Sequence, residues 1–356
     1  MKVLAINSSP RAGKGRSKTE LLLKSLVEGM RQAGAQVEVV NLKEKKVRFC
    51  QGCFTCWTKT PGQCILKDDM SQELYPKWLE ADLAIYATPL YHFSLNAHMK
   101  AFVERTLPFL EPFFERGEGG AIHHPLRHKP PAVVMLSVAG FPEMEVFSQL
   151  SSWARFIFRE GLLAEIYRPS AEALGTVMGK EVLPSVQEAL QTAGRELVES
   201  RRVTPETMAA ITQPVLDKET IAGITNMFWR TCLENNLTPR ECTEANLVPQ
   251  PQTLEEFLLI MPLGFKAEAA GDLNATIQFN FSGQVEGSCH LDIAGGKVAG
   301  ASGPAQSPDL AIDAPFALWL EIMSGKADPQ QVFMQGQAKA AGDLGLLMRL
   351  GQLFGS

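Results

Sequence analysis

Four cysteines, Cys50, Cys53, Cys56 and Cys64, crowd into fifteen consecutive positions, with Gly52 and Gly62 easing the backbone around them. Three thiolates separated by two residues each can converge on one cube of iron and sulfide. A fourth can close it from beyond the Pro61-Gly62 turn. The same ligands can hold zinc, although a tetrathiolate zinc site usually takes two separated pairs. They can also act as a redox-active dithiol, or stand as structural or free thiols. In a reducing compartment the crowding argues against a disulfide framework. Cys232, Cys242 and Cys289 are scattered and read as inert.

A second chemical signal lies near the start of the chain. Asn7-Ser8-Ser9-Pro10-Arg11, a stretch with Gly13 and Gly15, and Ser17-Lys18-Thr19 bring together hydroxyls, backbone N–H groups and a helix start. These are the groups a phosphate needs. Neither a Gly-x-Gly-x-x-Gly fingerprint nor a Gly-Lys-Ser/Thr motif is present, so a monophosphate fits better than a dinucleotide or a P-loop ligand. Two further loops, Thr88-Pro89-Leu90-Tyr91-His92-Phe93-Ser94 and Ala139-Gly140-Phe141-Pro142-Glu143, offer backbone donors and flat apolar surface of the kind a flavin ring requires. Taken singly, Tyr91 and Phe93 also read as core or lid aromatics. No nucleophile motif accompanies His92 or His98, and His123, His124 and His128 read as an exposed loop.

The elements that must carry these loops follow from the apolar pattern. Lys2 to Ile6, Gln36 to Asn41, Asp82 to Ala87 and Ala132 to Val138 are short apolar runs suited to parallel strands covered on both faces, and Ala164 to Arg168 supplies a fifth. Ser17 to Gly34 reads as a helix with Leu22, Leu26, Met30 and Ala33 at helical spacing, Ser17 and Glu20 in a capping box, and Gly34 as its stop. Strand, helix, strand implies a right-handed crossover, hence an α/β doubly wound parallel sheet whose carboxyl edge holds all three loops.

Composition narrows the function classes. Among 356 residues, 45% are hydrophobic and 21% charged, with a net charge of −5, as in an ordinary globular protein of two domains. The lack of a basic surplus argues against nucleic acid or an anionic membrane. Neither a signal peptide nor a membrane span is visible, so a cytoplasmic location is expected. From residue 246 onward there are 5 Lys plus Arg against 11 Asp plus Glu, so the acidity lies in the last third. Pro249 and Pro251 mark a boundary there. The expected parts are 1–175, a helical extension or linker over 176–248, punctuated by Pro184, Pro205, Pro214 and Pro239, and 249–356.

Ser9-Pro10-Arg11 with Ser17-Lys18-Thr19, then Thr88-Pro89-Leu90-Tyr91 running into Lys100, Ala101, Phe102 and Arg105, resembles the NAD(P)H-dependent FMN reductase family, which is flavodoxin-like in fold. Asp68-Asp69-Met70 and the four cysteines resemble its iron-sulfur flavoprotein branch. The resemblance implies FMN, with Ser9, Arg11, Ser17, Lys18 and Thr19 around the phosphate and Pro89, Leu90, Tyr91, His92 and Phe93 beside the ring. Ala139, Gly140 and Phe141 would close the other side. It also implies NAD(P)H as co-substrate, a [4Fe-4S] cluster on Cys50, Cys53, Cys56 and Cys64, a small-molecule acceptor such as a quinone or flavin, and a homo-oligomer. One departure is the stretch between Arg11 and Ser17, which is longer than the compact family loop.

The last third alternates as hairpins over Thr276 to Phe281, Cys289 to Ile293 and Lys297 to Ala299, with helices at Pro315 to Ser324 and Gly342 to Phe354, an α+β pattern. Pro308-Asp309-Leu310-Ala311-Ile312, Trp319, Ser324 to Pro329, Phe333 to Lys339 and Gly342-Asp343 resemble the sterol carrier protein type-two-like domain, which implies a lipid or sterol-like ligand. Two readings follow. One is an FMN-dependent oxidoreductase whose fused hydrophobic-ligand domain presents an apolar acceptor. The other is a lipid carrier whose flavodoxin-like half is a scaffold or redox sensor.

Overall fold

A computed structural model describes residues 1–117 and 120–354. The chain divides into two compact units, Met1–Leu216 and Asp217–Ser356.

The first unit is built on five parallel strands: β1 (Lys2–Asn7), β2 (Gln36–Asn41), β3 (Leu83–Pro89), β6 (Ala132–Val138) and β7 (Leu162–Arg168), in the order β2-β1-β3-β6-β7. β4 (Glu115–Arg116) and β5 (Ile122–His123) form a small separate hairpin. This is the flavodoxin-like doubly wound order, with its topological switch between β1 and β3. β3 is buried at every position, which explains why its sequence is apolar but for Thr88, whose hydroxyl donates to the Pro89 carbonyl. On one face lie α1 (Lys18–Gln32), α5 (Val182–Glu199) and α6 (Pro205–Thr212), and on the other α2 (Tyr75–Glu80), α3 (Ala97–Glu104) and α4 (Ser148–Phe158). Ser17 caps α1 by accepting a hydrogen bond from the Glu20 amide, and Gly34 at φ +84° ends it.

α1 and α5 approach closely because each presents a glycine. A Cβ on Gly29 would lie 1.9 Å from the Gln191 carbonyl oxygen, and one on Gly194 would lie 2.2 Å from the Leu26 carbonyl oxygen. This contact, together with the packing of α6 on β7, draws residues up to Leu216 into the first unit. The division therefore falls inside the stretch 176–248 that composition marks as an extension. Pro205 stands at the first position of α6, where its missing N–H costs nothing.

The second unit begins with α7 (Lys218–Glu234), α8 (Pro239–Glu244), α9 (Leu254–Ile260) and α10 (Ala267–Ala270), with Arg230 on α7 paired to Glu256 on α9 at 2.6 Å. Its sheet comprises β8 (Ala275–Ser282), β9 (Gly287–Ala294), β10 (Lys297–Ser302), β11 (Leu310–Pro315) and β12 (Lys339–Gly342), in the order β10-β9-β8-β11-β12. Only β8 and β11 pair in parallel. Gly295 and Gly296, both at positive φ, make the tight β9–β10 turn. α11 (Phe316–Met323), α12 (Pro329–Met334) and α13 (Leu344–Phe354) complete the unit, and Phe257, Phe279, Phe316 and Trp319 meet in its core. Cys232 and Cys242 are buried, and burial pushes the Cys289 thiol up to about 12.

Candidate functional site

The loop leaving β1 is organised by its own side chains. Asn7 Oδ1 accepts from the Ser9 amide at 3.0 Å, Ser17 donates to Ser9 Oγ at 2.8 Å, and the Arg11 amide donates to Ser9 Oγ at 3.3 Å. Glu20 reaches back to the Gly13 amide at 2.8 Å, and Gly13 and Gly15 take left-handed backbone conformations. Two hydroxyls and the amino end of α1 thus face one loop at the β1/β3 switch, an arrangement suited to a phosphate dianion.

Arg11 and Lys18 are placed differently from the two serines. Arg11 Nη1 pairs with Glu172 at 3.1 Å, both side chains being 60% exposed. Lys18 packs its ammonium over Gly175, where an added Cβ would lie 1.9 Å from Nζ. Thr19 is buried. The pairing of Arg11 with Glu172 crosses 161 positions, so nothing local in sequence signals it.

The second loop is locked to the first. Asn96 caps α3 by accepting from the Met99 amide at 3.1 Å, and its Nδ2 donates to the Ser8 carbonyl at 2.7 Å. Tyr91 and Ser94 exchange backbone hydrogen bonds, and the two residues between them, His92 at φ +45° and Phe93 at φ +59°, both take left-handed conformations. Such conformations are unfavourable for side chains of this size and mark a loop shaped for a purpose. Pro89 ends β3, buried, and the Leu90 amide donates to Val138 on β6. Phe93 stands against Phe141 of the third loop with ring centroids 5.8 Å apart, and Tyr91, Phe93 and Phe141 are all about half exposed. Ala139 and Ser170 hold that third loop through backbone bonds to Arg168 and Phe141. Apolar rings at one end and hydroxyls at the other suit a molecule with a flat ring and an anionic tail.

The four cysteines, which differ in exposure, line a single small pocket with Arg105, Leu107 and Pro108. Burial first, and then the neighbouring Cys64, push the Cys56 thiol up, whereas Thr55 hydrogen bonding pulls Cys53 down. Among the described residues no group of three or more His, Cys, Asp or Glu side chains is gathered as a single metal ion requires. Four thiols lining one pocket are donors of the kind that either zinc or an iron-sulfur cluster takes.

The floor of this loop is an ion pair. Arg105 and Asp68 have side chains only 1% and 0% exposed, joined at 2.7 and 2.9 Å. Asp68 also accepts from the Arg48 and Ser71 amides. Burial works against its charge, yet these donors hold its carboxyl at about 2. Burial likewise opposes the charge of Arg105, and Asp68 and Cys64 more than offset it. His124 sits between Trp57 and Phe114, its ring tilted to both with centroids 4.9 and 4.8 Å away, which ties the chain flanking the β4–β5 pair to the cysteine loop. His123 lies on β5 rather than in a loop.

Residues 1–161 match the family described as NADPH-dependent FMN reductase, and residues 264–355 match the SCP-2 sterol transfer family. Two separate segments of the chain are thus each similar to one of these families. The FMN reductase segment contains all three loops and the four cysteines. An iron-sulfur flavoprotein of Archaeoglobus fulgidus is 37% identical over 123 residues, 34% of this chain and 53% of that protein. Hydroxysteroid dehydrogenase-like protein 2 of Xenopus tropicalis is 32% identical over 89 residues, 25% of this chain and 21% of its own length. The chain thus spans about half the length of the iron-sulfur flavoprotein it matches. A solved NAD(P)H:quinone oxidoreductase from Methanothermobacter marburgensis overlays on 55% of this chain and 96% of its own, with 18% identity and a TM-score of 0.42.

In the segment matched by the SCP-2 family, the apolar residues of the helices are divided in their burial. Leu346, Leu353 and Phe354 of α13 are buried, whereas Met348 is 82% exposed and Leu344 and Met334 are exposed as well. Among the described residues no helix is long and apolar enough to cross a membrane.

Proposed function

We propose that this protein is an FMN-dependent oxidoreductase that takes electrons from NAD(P)H and delivers them to a quinone or flavin acceptor. The four cysteines carry an iron-sulfur cluster, and the SCP-2 segment receives a hydrophobic ligand. The observation that carries the reading is the convergence, at the β1/β3 switch, of the Ser9–Ser17 loop with the Tyr91–Phe93–Phe141 rim.

FMN, when bound, accepts a hydride and passes its electrons on singly or in pairs. Ser9, Ser17 and the amino end of α1 would bind its phosphate, and Arg11 would leave Glu172 to complete the anion's neutralisation. Backbone N–H groups of the 89–93 and 139–141 loops would orient the ring edge, while Phe93 and Phe141 exclude water from its face. Cys50, Cys53, Cys56 and Cys64 would hold the cluster. Reduced thiols of this kind persist in the cytoplasm, where we place the protein, as the homo-oligomer that the family resemblance implies.

The test is the absorbance spectrum and iron content of anaerobically purified protein, before and after NADPH. Flavin bleached by NADPH, with about four irons per chain that disappear on Cys56→Ser, is the expected result. No flavin even after added FMN would instead favour a lipid carrier with a flavodoxin-like scaffold.

A further inference from the structure

A buried cation borders the four-cysteine cavity. Arg105 caps the carboxyl end of α3, and its Nη1 and Nη2 are spent on Asp68 and on the Arg48 carbonyl at 2.7 Å. The third kind of donor, Nε–H, is buried and has no hydrogen-bond partner. A cation's donor left unsatisfied in the interior is unfavourable, and such groups are rare in folded proteins. Arg105 also lines the cavity with all four cysteines, Cys64 among them. Asp68 and the Arg48 carbonyl would fix the loop equally well through the two Nη groups alone, so the loop's own architecture leaves Nε without a role.

We propose that Arg105 sets the reduction potential of the cysteine-held cluster, offering its Nε–H and its fixed positive charge to the sulfur at the Cys64 corner, with Asp68 as its positioning partner. The inference rests on the reading that the cysteines carry an iron-sulfur cluster. Reduction adds one electron, from NADPH by way of the flavin or from dithionite, and so one negative charge. A neighbouring cation and an N–H donor to sulfur stabilise the more negative state and raise the potential. Asp68 counters part of that charge, so removing one partner or the other moves the potential in opposite directions.

The experiment is a dithionite titration of the full chain, purified anaerobically and followed by electron paramagnetic resonance, with iron measured on each sample. Arg105→Gln is expected to lower the reduced-to-oxidised ratio at fixed potential about tenfold, a 59 mV shift for a one-electron couple. Asp68→Asn is expected to raise it. Arg105→Lys keeps the charge, loses Nε–H and falls between wild type and Arg105→Gln. Should the Gln variant lose its iron, the Lys variant decides: a lowered potential supports the proposal and an unchanged one overturns it. Equal potentials in all iron-containing variants, or shifts of the same sign for Arg105 and Asp68, overturn it while leaving the cluster reading intact. Wild-type protein without iron overturns both.

Discussion

Ser17 donates its hydroxyl proton to Ser9 at 2.8 Å while accepting the Glu20 amide at 3.1 Å, so one side chain both starts α1 and shapes the β1 loop. Ser17→Ala removes both bonds. It should cost about 1 kcal/mol of stability through the lost cap and weaken FMN binding about tenfold, the worth of one hydrogen bond to an anion. Urea unfolding and titration of FMN fluorescence read the two effects separately. An affinity unchanged within twofold would exclude Ser17 from the phosphate site.

Arg11 should behave in the opposite way. Its pairing with Glu172 is exposed, and exposed pairs contribute about 0–1 kcal/mol. Arg11→Ala should therefore leave the unfolding midpoint nearly unchanged and reduce FMN affinity by about tenfold or more. Loss of stability with intact FMN binding would assign Arg11 to the fold instead.

The Asp68 carboxyl titrates at about 2 rather than its ordinary 3.8, because its donors outweigh the penalty of burial. The folded state thus binds this proton more weakly than the unfolded state. The corresponding stability, about 2 kcal/mol, is fully present above about pH 4 and is lost as the pH falls through about 2. Asp68→Asn should flatten this part of the acid limb. It should also destabilise the protein at neutral pH by about 3–5 kcal/mol, since it leaves Arg105 buried without its counter-charge. Urea unfolding of both proteins from pH 7 to pH 2 checks the two statements. An acid limb equally steep in the variant would contradict the assignment.

At the α1–α5 crossing the obstacle to a side chain is backbone, which cannot swing aside. Gly29→Ala should cost about 1–3 kcal/mol by overpacking, despite alanine's better helix propensity. Calorimetry on the full chain should show the loss in the first unit's transition. A stabilised variant would mean that α5 can shift outward freely.

Much of this architecture was legible from local pattern. The strands of the first sheet read clearly because burial on both faces favours apolar residues at nearly every position of β3 and β6. The α1 start read from Ser17, whose hydroxyl accepts the Glu20 amide within one turn, whereas the Glu20 carboxylate takes the Gly13 amide instead of closing a capping box. Gly295-Gly296 read as a hairpin because a tight turn demands left-handed backbone at both positions. The division after Leu216 left no such trace. Pro249 and Pro251 report a stiff stretch of chain, whereas the division depends on which helix α5 touches.

What the sequence alone determined is the set of short-range commitments: strand, helix and turn identity, the three loops at the strand ends, and four thiols close enough in the chain to meet. Those follow from periodicity, capping and backbone sterics, which act over a few residues. Tertiary structure decided the rest. Asp68 and Arg105 stand 37 positions apart and Arg11 and Glu172 stand 161 apart. Lys18 turned to Gly175, and one N–H of Arg105 remained unspent beside the cysteines. Charge pairing and desolvation are set by distance in space, which only the folded chain fixes.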